Sequence, residues 1–161
     1  MTEQALYNLE AEKSILAGCL TVEGKIIEVA PLLRPEDFYS AEHRKIYKTM
    51  MDMADNHEQI DMVTVAEKMP GSAGKIVDIA NSYVTGEISS YIKIVQDNAY
   101  LRKVMHISKM LIARAQSKDF ADISTFKGEI EDQILALNSE QTTKISGMKE
   151  VVSKVLDILD N

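Results

Sequence analysis

The sequence predicts an all-α fold: a helical bundle, an antiparallel helical hairpin, and an amphipathic helix behind a polar tether. Three observations predict it. Helix-breaking residues are few, with seven Gly and three Pro among 161 residues, which favours long helices over a many-turned β fold. Apolar residues recur at helical spacing in one segment after another. The stretch from Ser89 to Lys118 contains neither Gly nor Pro, and as a single helix it spans about 45 Å at ~1.5 Å per residue.

The first helix starts after Asn8, a good N-cap, with Glu10 and Glu12 in the first turns where negative charge is favourable. Leu9, Ile15, Leu16, Cys19 and Leu20 form its apolar stripe. Gly24 interrupts, and a short helix over "KIIEVAPLL" stops near Pro31, with Pro35 closing the linker. Glu36 to His43, "EDFYSAEH", then crowds three acids, two aromatics, a serine and a histidine together. Ser40 directly precedes "AEHRKIYKTMMDM", where Ile46, Tyr47, Met50, Met51 and Ala54 mark one helical face. That position makes Ser40 an N-cap, with Glu42 favouring the positive helix end. Asp37, Phe38 and Tyr39 are then a corner, with the aromatics packed beneath it and the carboxylates in water.

Further along, Thr64-Val65-Ala66-Glu67 reads as a capping box opening a short helix that Pro70 ends. Gly71 to Gly74 is a turn, a helix follows around "KIVDIANSYV", and "TGEISS" is the next break. The long helix from Ser89 carries Ile94, Leu101, Val104, Ile107, Leu111 and Ile112. After the short connection "SKDFAD" a second helix, roughly Ile123 to Asn138, carries Phe126, Ile130, Ile134, Leu135 and Leu137. A connection that short folds the two back as an antiparallel pair. Their charges are segregated. Ser89 to Lys118 holds six bases (Lys93, Arg102, Lys103, Lys109, Arg114, Lys118) and one acid, whereas Asp119 to Glu140 holds six acids and one base. Opposite charge supports pairing within the hairpin or with a second copy of it, although any one exposed pair contributes only ~0–1 kcal/mol.

Residues 138–147, "NSEQTTKISG", read as a linker. Beyond it Met148, Val151, Val152, Val155, Leu156 and Leu159 group at helical spacing. A helix of about fourteen residues is marginal alone in water, so this apolar face needs a partner surface.

Composition bounds the function. With 45% hydrophobic and 27% charged residues the chain is an ordinary globular protein. A net charge of -7 disfavours direct grip on nucleic-acid phosphates, so proteins are the expected partners. The one cysteine, Cys19, cannot form an internal disulfide, which fits a reducing cytoplasmic setting. No stretch approaches the ~20 apolar residues that span a membrane, and "MTEQALYNLEAEKSI" lacks a basic region followed by an apolar run.

Enzyme chemistry finds little support. His43, His57 and His106 show no metal-ligand spacing, and Glu36, Asp37, Glu42 and His43 lack a second ligand cluster. An acid-base site at Asp37 and His43 is therefore the weaker interpretation of the corner. Cys19 lies in an apolar stripe without an obvious base. Gly71 to Lys75, "GSAGK", is too short for a P-loop and follows no strand. Tyr91 and Tyr100 at their helical spacing are packing residues more often than base-stacking ones. No catalytic, cofactor-binding or metal residue is expected in this chain.

Taken in order, "NLEAEKSILAGCL", "LRPEDFYSAEHRKIYKTMMDM", "IDMVTVAEKM", "DIANSYV" and "YIKIVQDNAYLRKV" resemble the N-terminal domain of DnaB-type replicative DNA helicases. The most specific element is Asp37-Phe38-Tyr39 with His43, followed by Ile46-Tyr47, by Asp61, Val63 and Thr64, and by Leu101-Arg102. Two departures suggest a phage or plasmid version: Gly18 stands one position later than in the family, and Lys68 to Ile76 is shorter.

The resemblance implies a compact bundle over residues 1–88, a protruding hairpin over 89–139, and a linker plus linker helix over 140–161. It implies an assembly and primase-docking domain of a hexameric helicase acting in replication-fork unwinding and the primosome. Copies of the chain would form a dimer to hexamer, a trimer of dimers. ATP and Mg would belong to an ATPase domain absent from this chain. Primase, a helicase loader and the neighbouring subunit's ATPase domain are the other implied partners. The hairpin surface at Tyr91, Arg102, Lys103, Lys109, Glu129 and Asp132 becomes the expected self-association or primase interface. The stripe Met148, Val151, Val152, Val155, Leu156 and Leu159 becomes the docking face of the linker helix. The alternative is a stand-alone helical adaptor or inhibitor that mimics this domain and regulates a helicase ring.

Overall fold

The computed structural model describes residues 5–83 and 86–139, which form helices and no strand. Helices α1 (Leu9–Thr21), α2 (Lys25–Val29), α3 (Ala41–Asp55), α4 (Met62–Lys68) and α5 (Ala73–Asn81) come first. Then follow α6 (Ile88–Ser117) and α7 (residues 123–139). Two single turns of 3-10 helix, Pro35–Asp37 and Pro70–Ser72, precede α3 and α5. The chain forms two compact units, one ending at Ala99 and the other beginning at Tyr100.

In the first unit α1 is the central element, packed on α2, α3 and α5. Ala11, Ile15, Leu16, Ala17, Cys19 and Leu20 are all buried, while Glu10, Lys13, Ser14 and Thr21 keep contact with solvent. Around it close Ile26 and Val29 of α2, Leu33 and Phe38 of the connection that follows, Ile46, Tyr47 and Met50 of α3, Val65 of α4, and Ile76 of α5. Full burial of one such aliphatic side chain contributes roughly 1.5–3 kcal/mol, so these positions dominate the unit's stability. Ile92 and Val95 of α6 complete the cluster. Gly18 marks the close approach of α1 to α6: a Cβ there would stand 3.1 Å from Ile88 Cδ1. Gly24, at φ 74°, turns the chain from α1 into α2 in a conformation that side chains resist.

The corner before α3 is built as a hydrogen-bonded anchor. Ser40 caps α3 by accepting from the His43 N–H at 3.3 Å. Phe38 lies against Tyr47, centroids 4.7 Å apart, and the Tyr47 hydroxyl donates to Leu33 O at 3.0 Å. Two expectations fail here. Asp37 is buried, its Oδ2 accepting from the Arg34 N–H at 2.8 Å and so closing the 3-10 turn. Only Glu36 of that pair stays in water. Tyr39 does not pack beneath the corner; it stacks on Tyr7 at the surface, centroids 4.3 Å apart.

The start of α4 also differs from expectation. Asp61, not Thr64, is the N-cap: its Oδ1 accepts from Val63 N and Thr64 N, and Thr64 Oγ1 accepts from Asp61 N. Of two overlapping registers, the earlier one is used. Gly74 likewise belongs to α5 rather than to the turn before it. Glu42, at the start of α3, holds Ser72 and Lys75 and ties that helix to α5.

Candidate functional site

The two buried carboxylates at the corner, Glu12 and Asp37, are engaged by backbone donors. Glu12 of α1 is 1% exposed and accepts from Tyr39 N (2.5 Å) and Ser40 N (3.3 Å), with His43 Nδ1 at 2.8 Å. A carboxylate held by three donors inside a core is stabilised as an acceptor, and no ligand is needed to explain it. Sequence reasoning treated Glu12 only as a first-turn charge and missed this role. Its signal is present in the pattern, an acid on the same helix as a continuous apolar stripe. Burial pushes the Cys19 thiol up to about 12, against a smaller downward pull from Lys25, which leaves it a poor nucleophile. Among the described residues no group of three or more His, Cys, Asp or Glu is arranged to hold a metal ion. Gly71 and Lys75 fall in a 3-10 turn and the first turns of α5, after helix α4 rather than a strand. The residues present therefore do not fit a triphosphate cradle. No helix among the described residues is long and apolar enough to cross a membrane.

The second unit carries the more informative surface. Here α6 and α7 form a hairpin closed by one arginine. Lys118 takes a left-handed φ of 54°, and Arg114 donates through Nε and Nη2 to Asp119 O at 3.2 and 3.1 Å. The same guanidinium lies 5.1 Å over the Phe126 ring and 2.5 Å from Glu129 Oε2. Phe120 stacks on Phe126, centroids 4.8 Å apart. Asp122 caps α7, accepting from Thr125 N and Thr125 Oγ1, and these bonds hold its carboxyl below the usual range. From the segregated charges the clasp pairs Arg114 with Glu129. Arg114 was one of six bases to the sequence; two phenylalanines six residues apart across the turn were the cue to its importance.

Beyond the clasp the hairpin is unusually apolar toward water. Leu101, Met105 and Ile112 of α6 and Ile123, Ile134 and Leu135 of α7 are exposed, Leu135 by 64% and Ile112 by 57%. Along α6 it is Ile92, Val95 and Ala99 that are buried.

The six expected interface residues are seated differently. Tyr91 is half-buried against the core of the first unit. Arg102 and Lys103 are half-buried on α6, and Lys109 is exposed. Glu129 is taken up by Arg114, while Asp132 is exposed on α7. Met148, Val151, Val152, Val155, Leu156 and Leu159 lie outside the described residues.

This architecture has known counterparts. Replicative DNA helicase DnaC of Bacillus subtilis (strain 168) is 26% identical over 163 residues, covering 95% of this chain and 36% of the relative. The chain thus spans little more than a third of the length of that curated relative. The crystal structure of the N-terminal domain of DnaB helicase from Mycobacterium tuberculosis matches with a TM-score of 0.75 at 25% identity. That match covers 83% of this chain and 99% of the solved one. The N-terminal domain of DnaB helicase from Helicobacter pylori, described with its interactions with primase, matches at 22% identity with a TM-score of 0.60. It covers 66% of this chain and 89% of that chain. A family model described as the DnaB-like helicase N terminal domain matches residues 4–97, the segment holding the Glu12 anchor, its corner and the whole first unit's core. The chain belongs to the DnaB-like helicase N-terminal domain family.

Proposed function

We propose that this chain is the assembly and primase-docking domain of a hexameric replicative DNA helicase, itself non-catalytic. The observation that carries the reading is the exposed apolar surface of the α6–α7 hairpin, at Leu101, Met105, Ile112, Ile134 and Leu135. In this reading copies of the chain pair through that surface as a trimer of dimers, and primase docks on the resulting collar. The relation to replicative helicases and a relative described with its primase interactions support it. ATP and Mg then act in an ATPase domain outside this sequence. The apolar stripe from Met148 to Leu159 rests on the neighbouring subunit's ATPase domain, a helicase loader acts on the same assembly, and the setting is cytoplasmic.

The test is calorimetric titration of the chain with the helicase-binding domain of its cognate primase, with light scattering on the same samples. The reading expects a particle larger than one chain and saturable binding that Arg102→Glu or Lys109→Glu weakens. Leu135→Lys should reduce self-association about tenfold or more with little change in thermal stability, since the side chain is 64% exposed. A chain that stays monomeric at high concentration and gives no heat with primase sinks the reading.

A further inference from the structure

A cleft of about 680 Å³ opens in the first unit between the ends of α1 and α3. Leu20, Ile26, Ile27 and Ile60 form its apolar part, and Glu23, Glu58 and Asp61 stand among its lining residues. Ile27 is 71% exposed, more than any other large hydrophobic side chain among the described residues. Helices α1 and α3 both end at this cleft, at Thr21 and Asp55, and neither has a basic residue in its last turn. Each helix end therefore presents a partial negative charge, roughly half a unit; that of α1 has no basic side chain among the lining residues beside it, and that of α3 has His57. No lysine or arginine lines the cleft. Lys68 reaches Glu58 from outside at 2.7 Å, and Asp61 is engaged in capping α4. Glu23 and the two helix ends are what remain to receive a positive charge.

We propose that this cleft docks a basic amphipathic segment of a partner protein. An aliphatic side chain of that segment seats against Ile27 and Ile60, and its Lys or Arg points at Glu23 and the C-terminal ends of α1 and α3. Charge complementarity selects this occupant. A second copy of the same cleft would set acids against acids, which costs binding energy, and an acidic segment would meet the same repulsion. The net charge of -7 also favours encounter with a basic partner. No hairpin residue enters the cleft, so the proposal does not depend on the collar reading.

The test is a titration of the ¹⁵N-labelled chain with a short helical peptide of Leu and Lys, its Leu and Glu counterpart serving as the control. The Lys peptide should shift amide signals of residues 20–27 and 54–61 saturably, and the Glu peptide should not. Ile27→Ser and Glu23→Lys should each weaken that binding about fivefold or more. Glu36→Lys, which makes the same charge change at the exposed corner, should leave it intact. Shifts spread over the surface or centred elsewhere, equal response to both peptides, no response to the Lys peptide, or indifference to Ile27→Ser would each overturn the proposal.

Discussion

Glu12 of α1 and His43 of α3 meet with Oε2 and Nδ1 2.8 Å apart, and the same carboxylate closes the backbone of Tyr39 and Ser40. One side chain near the start of α1 thus fixes where α3 begins. Glu12→Ala leaves two part-buried backbone donors and an imidazole without their acceptor, an expected loss of about 2–3 kcal/mol. Glu12→Gln keeps one acceptor oxygen and should cost about half as much. Urea unfolding followed by circular dichroism reads both. An unchanged midpoint in Glu12→Ala would show that the Ser40 cap and Phe38 packing hold the corner without it.

Helix α4 distinguishes two capping registers. Asp61→Ala should cost about 1 kcal/mol, whereas Glu67→Ala should stay within about 0.5 kcal/mol; the reverse order would restore Thr64 as the cap. Hydrogen bonds from Thr64 and Val63 hold the Asp61 carboxyl below its ordinary range. A depressed folded pKa gives stability that is fully present above the unfolded carboxylate value, roughly pH 4. It is lost as pH falls from there through the lower folded value. Asp61→Asn keeps the capping oxygen but removes this titration, so its acid unfolding curve should be flatter. Glu42 and Asp122, lowered chiefly by bonds from Ser72 and Thr125, act in the same direction.

Arg114 is expected to hold the hairpin closed. Arg114→Ala removes two bonds to Asp119 O, the Glu129 ion pair and the stack on Phe126 together, about 1–2 kcal/mol for a half-exposed group. Hydrogen exchange should quicken in residues 123–130 and remain unchanged in α1 and α3. Arg114→Lys should not restore it, because an ammonium lacks the planar fork that serves all these partners. Undisturbed exchange in the α7 amides would show that the turn is held by Phe120 and Phe126 alone.

The local features of this fold were legible because their causes are local. Asn8 and Ser40 announce helix starts since a cap bonds only two or three residues ahead. The unbroken run into α6 similarly needs no tertiary information. Thr64 misled because "TVAE" fits the box pattern with Glu at its third position, whereas "DMVT" does not, although Asp61 and Thr64 make the reciprocal bonds. Glu12 misled for a different reason. Its partners lie 27, 28 and 31 residues away, and a rule about first-turn charges cannot see them. On α6 apolar residues occur all around the helix, so spacing alone could not tell that Ile92 and Val95 are buried while Leu101 and Ile112 face water. The hairpin clasp was half visible: opposite charge was read, but not that Arg114 would join Asp119 O, Phe126 and Glu129 at once.

The separations that hid Glu12 also order the assembly of the first unit in time. Its bonds to Tyr39, Ser40 and His43 need only the first 43 residues, whereas the bond from Gln96 Nε2 to Leu32 O, at 2.8 Å, spans 64 positions. Short-range closure is entropically cheaper and faster than long-range closure. On a ribosome adding ~5–20 residues per second, the corner can form while α6 is still unmade. Newly made chains would then reach the stage of exposing the hairpin with the beginnings of a folded body already behind it.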